Sequence, residues 1–242
     1  MEIYSMTDVG LKRSSNQDAF FAGELLQGAA FAVVCDGMGG ANAGNVASQT
    51  AVKIISEYIL RSYRDSMKDF EIEKMLMNAI DSANMEVYEK SVKETELSGM
   101  GTTAVIALVQ GDTVVFAHVG DSRLYLVDDD IVQLTKDHSM VQKLIESGKI
   151  TPEDAKVHPT KNVITRALGV EANVISDSNT IQLKEGQSLL LCTDGLSGFV
   201  DKTDILNVFK TKDIDSAADE LIRLANENGG GDNITAVILS NT

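Results

Sequence analysis

Four times along this 242-residue chain an aspartate stands where an apolar run gives way to a turn: VVCDG at Asp36, VGDSR at Asp121, LLCTDG at Asp194 and GGDNI at Asp232. A single Asp-Gly is an ordinary turn dipeptide. Asp36 and Asp194 are different, because a helical pattern follows each of them instead of a returning strand, so neither sits in a hairpin. Carboxylates gathered at the ends of adjacent strands repel one another unless they are protonated or neutralised. Oxygen-only ligation suits hard cations such as Mg2+ and Mn2+. The glycines of VVCDGMGG agree, since a carbonyl beside Asp36 ligates directly only if no side chain covers it. The pattern requires a fold that brings several strand ends to one place.

Zinc is the poorer match. The three histidines, His118, His138 and His158, form no close pair and no HExxH, and Cys35 and Cys192 sit in apolar runs without CxxC spacing. The cysteines read as buried free thiols. A net charge of -15, from 21 basic and 36 acidic residues, argues against nucleic-acid or anionic-membrane partners. The N-terminus has no basic stretch leading into an apolar one, and no apolar run approaches the roughly 20 residues of a spanning helix. A soluble, cytoplasmic protein with no membrane anchor is expected. With 5% aromatic residues and no Trp, its core must come from Val, Ile, Leu, Ala and the nine Met.

Strands are expected in IYSMTDV, DAFFAGE and AAFAVVC, followed by amphipathic helices from Asn42 to about Leu60 and from about Phe70 to Val92. The stretch GTTAVIALVQGDTVVFAHVGDSRLYLVDDDIVQL alternates strand runs with turn signals and reads as an antiparallel meander. Residues 136–174 hold both prolines, Pro152 and Pro159, and a short helix near Ser139 to Ser147, and read as a mobile flap. SLLLCTDG, helices near Lys202–Phe209 and Ser216–Asn228, and a last strand ITAVILS complete the pattern. The order β, αα, β-meander, αα, β favours α+β layers over a doubly wound sheet. With no repeat and no low-complexity linker, one domain over residues 1–242 is expected.

RSSNQD, VVCDGMGG, GTTA, VGDSR, LCTDGL and GGDNIT occur in this order at separations that resemble the metal-dependent PP2C-type serine/threonine protein phosphatases, small bacterial members most of all. The resemblance spans about Glu2 to Leu239. It implies a four-layer α-β-β-α sandwich, two packed antiparallel sheets flanked by helix pairs, with two Mn2+ or Mg2+ ions at one end. It further implies that Asp36 bridges both ions, that Gly37 offers its carbonyl to the second, and that Asp194 and Asp232 complete the first. Asp18 would hold a coordinated water, Arg13 would grip the substrate phosphate, and Asp121 would ligate a third ion that Asp194 also touches. The implied activity is hydrolysis of phosphoserine and phosphothreonine by direct attack of metal-activated water, with phosphorylated proteins as partners. A monomer opposing a bacterial Ser/Thr kinase is the implied setting.

Two positions depart from the family pattern. Met38 stands where many eukaryotic relatives carry a His that protonates the leaving group, which leaves a coordinated water, His138 or His158 as substitutes. Gln17 stands where many relatives have Glu, which implies a weaker second or third ion. Two alternatives belong to other biology: a phosphoprotein-binding pseudophosphatase, and a phosphatase dedicated to an anti-sigma antagonist. A haloacid-dehalogenase-type nucleophile does not fit, because the DxD at Asp213-Ile214-Asp215 lies late and beside a helix. GMGGAN lacks both the dinucleotide-binding glycine spacing and a Walker lysine.

Overall fold

Strand β3 (Ala30–Met38) is buried on both faces, and alternate residues along it serve different cores. Phe31, Val33 and Cys35 point to one layer, whereas Ala32 and Val34 point to another. This is the period-2 pleat of a strand covered on both sides, and it explains the unbroken apolar run of AFAVVC. A computed structural model describes residues 1–40 and 43–241.

The elements are β1 (Glu2–Asp8), β2 (Asp18–Glu24), β3, α1 (Ala43–Ser62), α2 (Asp69–Lys93), β4 (Gly101–Thr102), β5 (Ala104–Gln110), β6 (Thr113–Val119), β7 (Arg123–Val127) and β8 (Ile131–Gln133). They continue with α3 (Met140–Glu146), α4 (Pro152–Val157), β9 (Asp177–Gln182), β10 (Ser188–Cys192), α5 (Asp194–Ser197), α6 (Lys202–Thr211), α7 (Ile214–Glu227) and β11 (Ile234–Ser240). One antiparallel sheet runs β1-β11-β10-β7-β8, and the other runs β2-β3-β5-β6-β9 with β4 paired to β3.

Three apolar layers bind these parts together. Ala47, Ala51, Ile55 and Ile59 of α1 and Leu76, Ile80 and Ala83 of α2 pack on Phe31, Val33, Ile106 and Leu108. Leu221, Ala225 and Ile205 of the second helix pair pack on Leu190, Ala236 and Ile238. Between the sheets lie Val34, Val105, Ala107, Leu189, Leu191, Val237 and Leu239. The α-β-β-α sandwich of the sequence reading is therefore the observed architecture.

Helix boundaries agree closely with the periodic pattern, although the expected start at Asn42 lies outside the described residues. The short helix expected near Ser139 to Ser147 is α3, with Ser139 as its N-cap accepting from the Gln142 N–H. Two elements were not expected. Helix α4 opens on Thr151-Pro152-Glu153-Asp154, a capping box with Pro in the first turn. Strand β9 is a polar edge strand, DSNTIQ, whose composition gave no apolar alternation to read.

Candidate active site

Register brings the first two carboxylates together. In the β2–β3 pair, Asp18 lies opposite Asp36, so a polar pair sits at the end of strands that are otherwise apolar. The chain then holds Asp36 by its backbone: its N–H donates to Thr103 Oγ1 at 2.9 Å, and its carbonyl accepts from the Thr103 N–H at 2.9 Å and from Thr102 Oγ1 at 2.8 Å. Those two threonines are the TT of GTTA, whose task the sequence left open. From the other sheet, Asp194 follows β10 as the first residue of α5, and Asp232 immediately precedes Asn233 and β11. Asp121 lies in the turn between β6 and β7.

A cleft of about 240 Å3 opens at this end of the sandwich. Asp36, Gly37, Asp121, Asp194, Asp232 and Arg13 all line it, as do Gln17 and Met38. Asp18 lies behind it, buried, with Oδ2 accepting from Thr193 Oγ1 at 2.9 Å and from Thr235 Oγ1 at 2.7 Å. Its Oδ1 is buried and has no partner. Arg13 is half exposed at the rim and donates to Asp232 Oδ2 at 2.7 Å.

Crowding shows in the acidities. Burial lifts Asp18 to about 7, against the Thr235 and Thr193 hydroxyls that favour its charged form, with Asp194 and Asp232 adding to the rise. Burial, then Asp194 and Asp137, push Asp121 to about 7 while Arg123 opposes them. Asp36 is held well above the usual carboxylate range by burial first, then by Asp18, Asp194, Asp121 and Asp232. Asp194 is raised by burial and by Asp232, with a hydrogen bond from Asp36 moderating the rise. Ionising this group together is costly unless positive charge enters, and the donors are all oxygens. An orphaned buried oxygen and an all-oxygen cleft fit a hard divalent ion.

The glycines also have a packing cause. A Cβ on Gly37 would lie 2.1 Å from the Gly44 carbonyl oxygen and 2.6 Å from that of Gln17, so neighbouring backbone already fills the space. Gly195 repeats this on the other sheet, where a Cβ would lie 1.9 Å from the Asn233 carbonyl oxygen. In both Asp-Gly pairs the glycine lets two segments touch.

Asn233 was also missed. Its Nδ2 donates to the carbonyls of Val9 and Ser15, each at 2.9 Å, and its Oδ1 accepts from the Gln17 N–H at 2.8 Å. One side chain thus ties down both ends of the loop that carries Arg13. The segment 136–174 contributes Asn162 and Ile164 to the cleft, and neither His138 nor His158 lines it.

His118, His138 and Asp177 form a second cluster, with ligand atoms within 4.8 Å of one another. Two of its three members are already engaged. His138 Nδ1 accepts from the Gly120 N–H at 3.1 Å, so the neutral ring carries its proton on Nε2, toward Asp177 Oδ2 at 3.2 Å. His138 therefore offers no lone pair to an ion, although His118 Nδ1 is buried without a partner, and Arg166 already places a cation 2.7 Å from Asp177 Oδ1. The cluster joins the β6–β7 turn to the flap.

Comparison with known proteins agrees with the geometry. The family model for protein phosphatase 2C matches residues 11–236. The chain belongs to the protein phosphatase 2C family. It is 40% identical over 235 residues to the serine/threonine phosphatase stp of Listeria monocytogenes serotype 4b (strain F2365), covering 96% of this chain and 93% of that one. The solved serine/threonine phosphatase of S. agalactiae superposes with a TM-score of 0.92 at 38% identity, covering 100% of this chain and 99% of that one. The catalytic domain of the serine/threonine protein phosphatase PstP, solved with 2 manganese ions, has a TM-score of 0.84 at 33% identity and covers 98% of this chain and 96% of that domain. Among the described residues, no helix is long and apolar enough to cross a membrane.

Proposed function

We propose that this phosphatase hydrolyses phosphoserine and phosphothreonine in proteins, with water attacking phosphorus in line with the departing Oγ. The convergence of Asp36, Asp121, Asp194 and Asp232 with Arg13 on one cleft carries the proposal. We assign Asp36 as the bridge between two divalent ions, Gly37 as a carbonyl ligand of the second, and Asp194 and Asp232 as the remaining ligands of the first. Asp121, shared with Asp194, is assigned to a third ion. When bound, the ions supply Lewis acidity, which makes water a better nucleophile at neutral pH and offsets phosphoryl charge.

The chain's own groups do the rest. Arg13 meets two phosphoryl oxygens with its planar fork, an arrangement lysine cannot reproduce. Asp18, buried behind the cleft with its Oδ1 unpartnered, would hold a coordinated water. One P–O bond forms to the water oxygen as the bond to the Ser or Thr Oγ breaks, giving inorganic phosphate and the free hydroxyl. Met38 has no proton to give, so the leaving oxygen takes its proton from solvent. Extending the bacterial resemblance, we infer a cytoplasmic monomer that opposes a Ser/Thr kinase.

The test is hydrolysis of a phosphothreonine peptide with Mn2+, Mg2+ or EDTA. Turnover is expected with either ion and none with EDTA, with Asp36→Asn losing about 100-fold or more in kcat. Arg13→Ala should lower kcat/KM by about tenfold to 100-fold. Tight peptide binding without turnover under any ion would leave the phosphoprotein-binding module instead.

A further inference from the structure

A second cavity, about 570 Å3, adjoins the candidate catalytic cleft, and Met38 and Ile164 line both. Ile164, Ala167, Val170, Val174 and Ile175 give it apolar walls, with Thr165, Glu171 and Asn173 adding polar groups. Val170 and Ile175 are 55% and 72% exposed, a costly display of aliphatic surface beside a polar site. Arg166 also lines the cavity, ion-paired with Asp177 at 2.7 Å.

The cavity is built onto the folded core. Asn84, buried in α2, donates to the carbonyls of Glu171 and Ala172, each at 3.1 Å, and accepts from the Gly169 N–H at 2.8 Å. Leu168 is fully buried and bridges to Thr102. A Cβ on Gly101 would lie 2.9 Å from Met38 Cε and 3.0 Å from Val170 Cγ2, so both side chains rest on a bare patch of backbone. Met38 thereby forms the apolar partition between the two cavities. Its unbranched thioether suits a wall that must accommodate varied shapes.

We propose that this second cavity is a substrate subsite, taking a large apolar side chain one or two residues from the phosphorylated Ser or Thr. An extended peptide advances about 3.3 Å per residue, so a phosphoresidue in the cleft delivers a neighbouring side chain across Met38. The subsite rests on the phosphatase function proposed above and adds to it a preference among phosphoproteins. Continuity with the cleft through a shared wall, together with exposed aliphatic residues on a tethered frame, identifies the occupant as peptide of the substrate itself.

The experiment compares two phosphothreonine peptides that differ only in Leu or Gly at the flanking positions, with p-nitrophenyl phosphate as a substrate too small to reach the cavity. Wild-type enzyme with Mn2+ should favour the Leu peptide by about tenfold in kcat/KM, mostly through KM. Val170→Asp and Ile175→Asp, both at exposed positions, should abolish that preference and leave p-nitrophenyl phosphate turnover unchanged. Equal kcat/KM for the two peptides, or a preference that survives both substitutions, alongside brisk p-nitrophenyl phosphate turnover, overturns the subsite alone. Failure to hydrolyse p-nitrophenyl phosphate with any ion overturns the phosphatase function and the subsite with it.

Discussion

Asp18 carries a charge that the fold resists. Its carboxyl titrates near 7 in the folded protein and near the ordinary 3.8 when unfolded, so folding favours its protonated form. Ion-free protein is therefore most stable on this account below about pH 4, and it loses about 1.4 kcal/mol per pH unit as pH rises toward 7. Asp18→Asn should flatten that slope in thermal melts with EDTA between pH 5 and 8; an unchanged slope would show that Asp18 does not titrate there. Gln17, at the cleft wall, invites the reverse change. Gln17→Glu adds a carboxylate and should raise the weakest ion's affinity several-fold by titration calorimetry, whereas equal affinities would remove Gln17 from the ion's surroundings. The aspartates were legible in the sequence because each stands at a break in an apolar run. Asn233 and Thr103 were not, because their roles lie in backbone contacts with partners far along the chain, Val9, Ser15 and Asp36, that no local pattern reveals.

Between elements, contact distance sets what the strand-end glycines permit. A methyl at Gly195 meets the Asn233 carbonyl at 1.9 Å, while one at Gly40 meets nothing within 4 Å. Gly195→Ala should cost about 3 kcal/mol in urea unfolding, and Gly40→Ala should be near neutral. Equal effects would show that the segments around Asn233 move apart at little cost. The long helices were legible because their apolar faces repeat over several turns. Strand β9 was not, since an edge strand of DSNTIQ draws its place from pairing with β6 and not from its own residues. Helix α4 was readable in principle: its capping box is written in consecutive letters.

Across the whole molecule, the site draws on both sheets. Asp36 ends β3 of one, while Asp194 and Asp232 border β10 and β11 of the other. An ion bound by all three would stitch the sheets together at one end, and at a hundredfold excess over Kd it would add about 2.7 kcal/mol of stability. Hydrogen exchange with EDTA in place of Mn2+ should quicken near Met38, Cys192 and Ile234 and leave the far ends, near Ala30 and Ser188, unchanged. Uniform quickening would mean that the ions act on global stability alone.

Strand β11 sits between β1 and β10, and β1 pairs with no other strand. The first of the described strands must therefore wait for the last of them. Arg13, Asp18 and Asp36 precede Asp232 and Asn233 by about 200 residues, and the loop bearing Arg13 lacks its ties to the Val9 and Ser15 carbonyls until Asn233 is in place. A chain that has not yet placed β11 should thus be catalytically silent, its activity appearing when that strand inserts between β1 and β10.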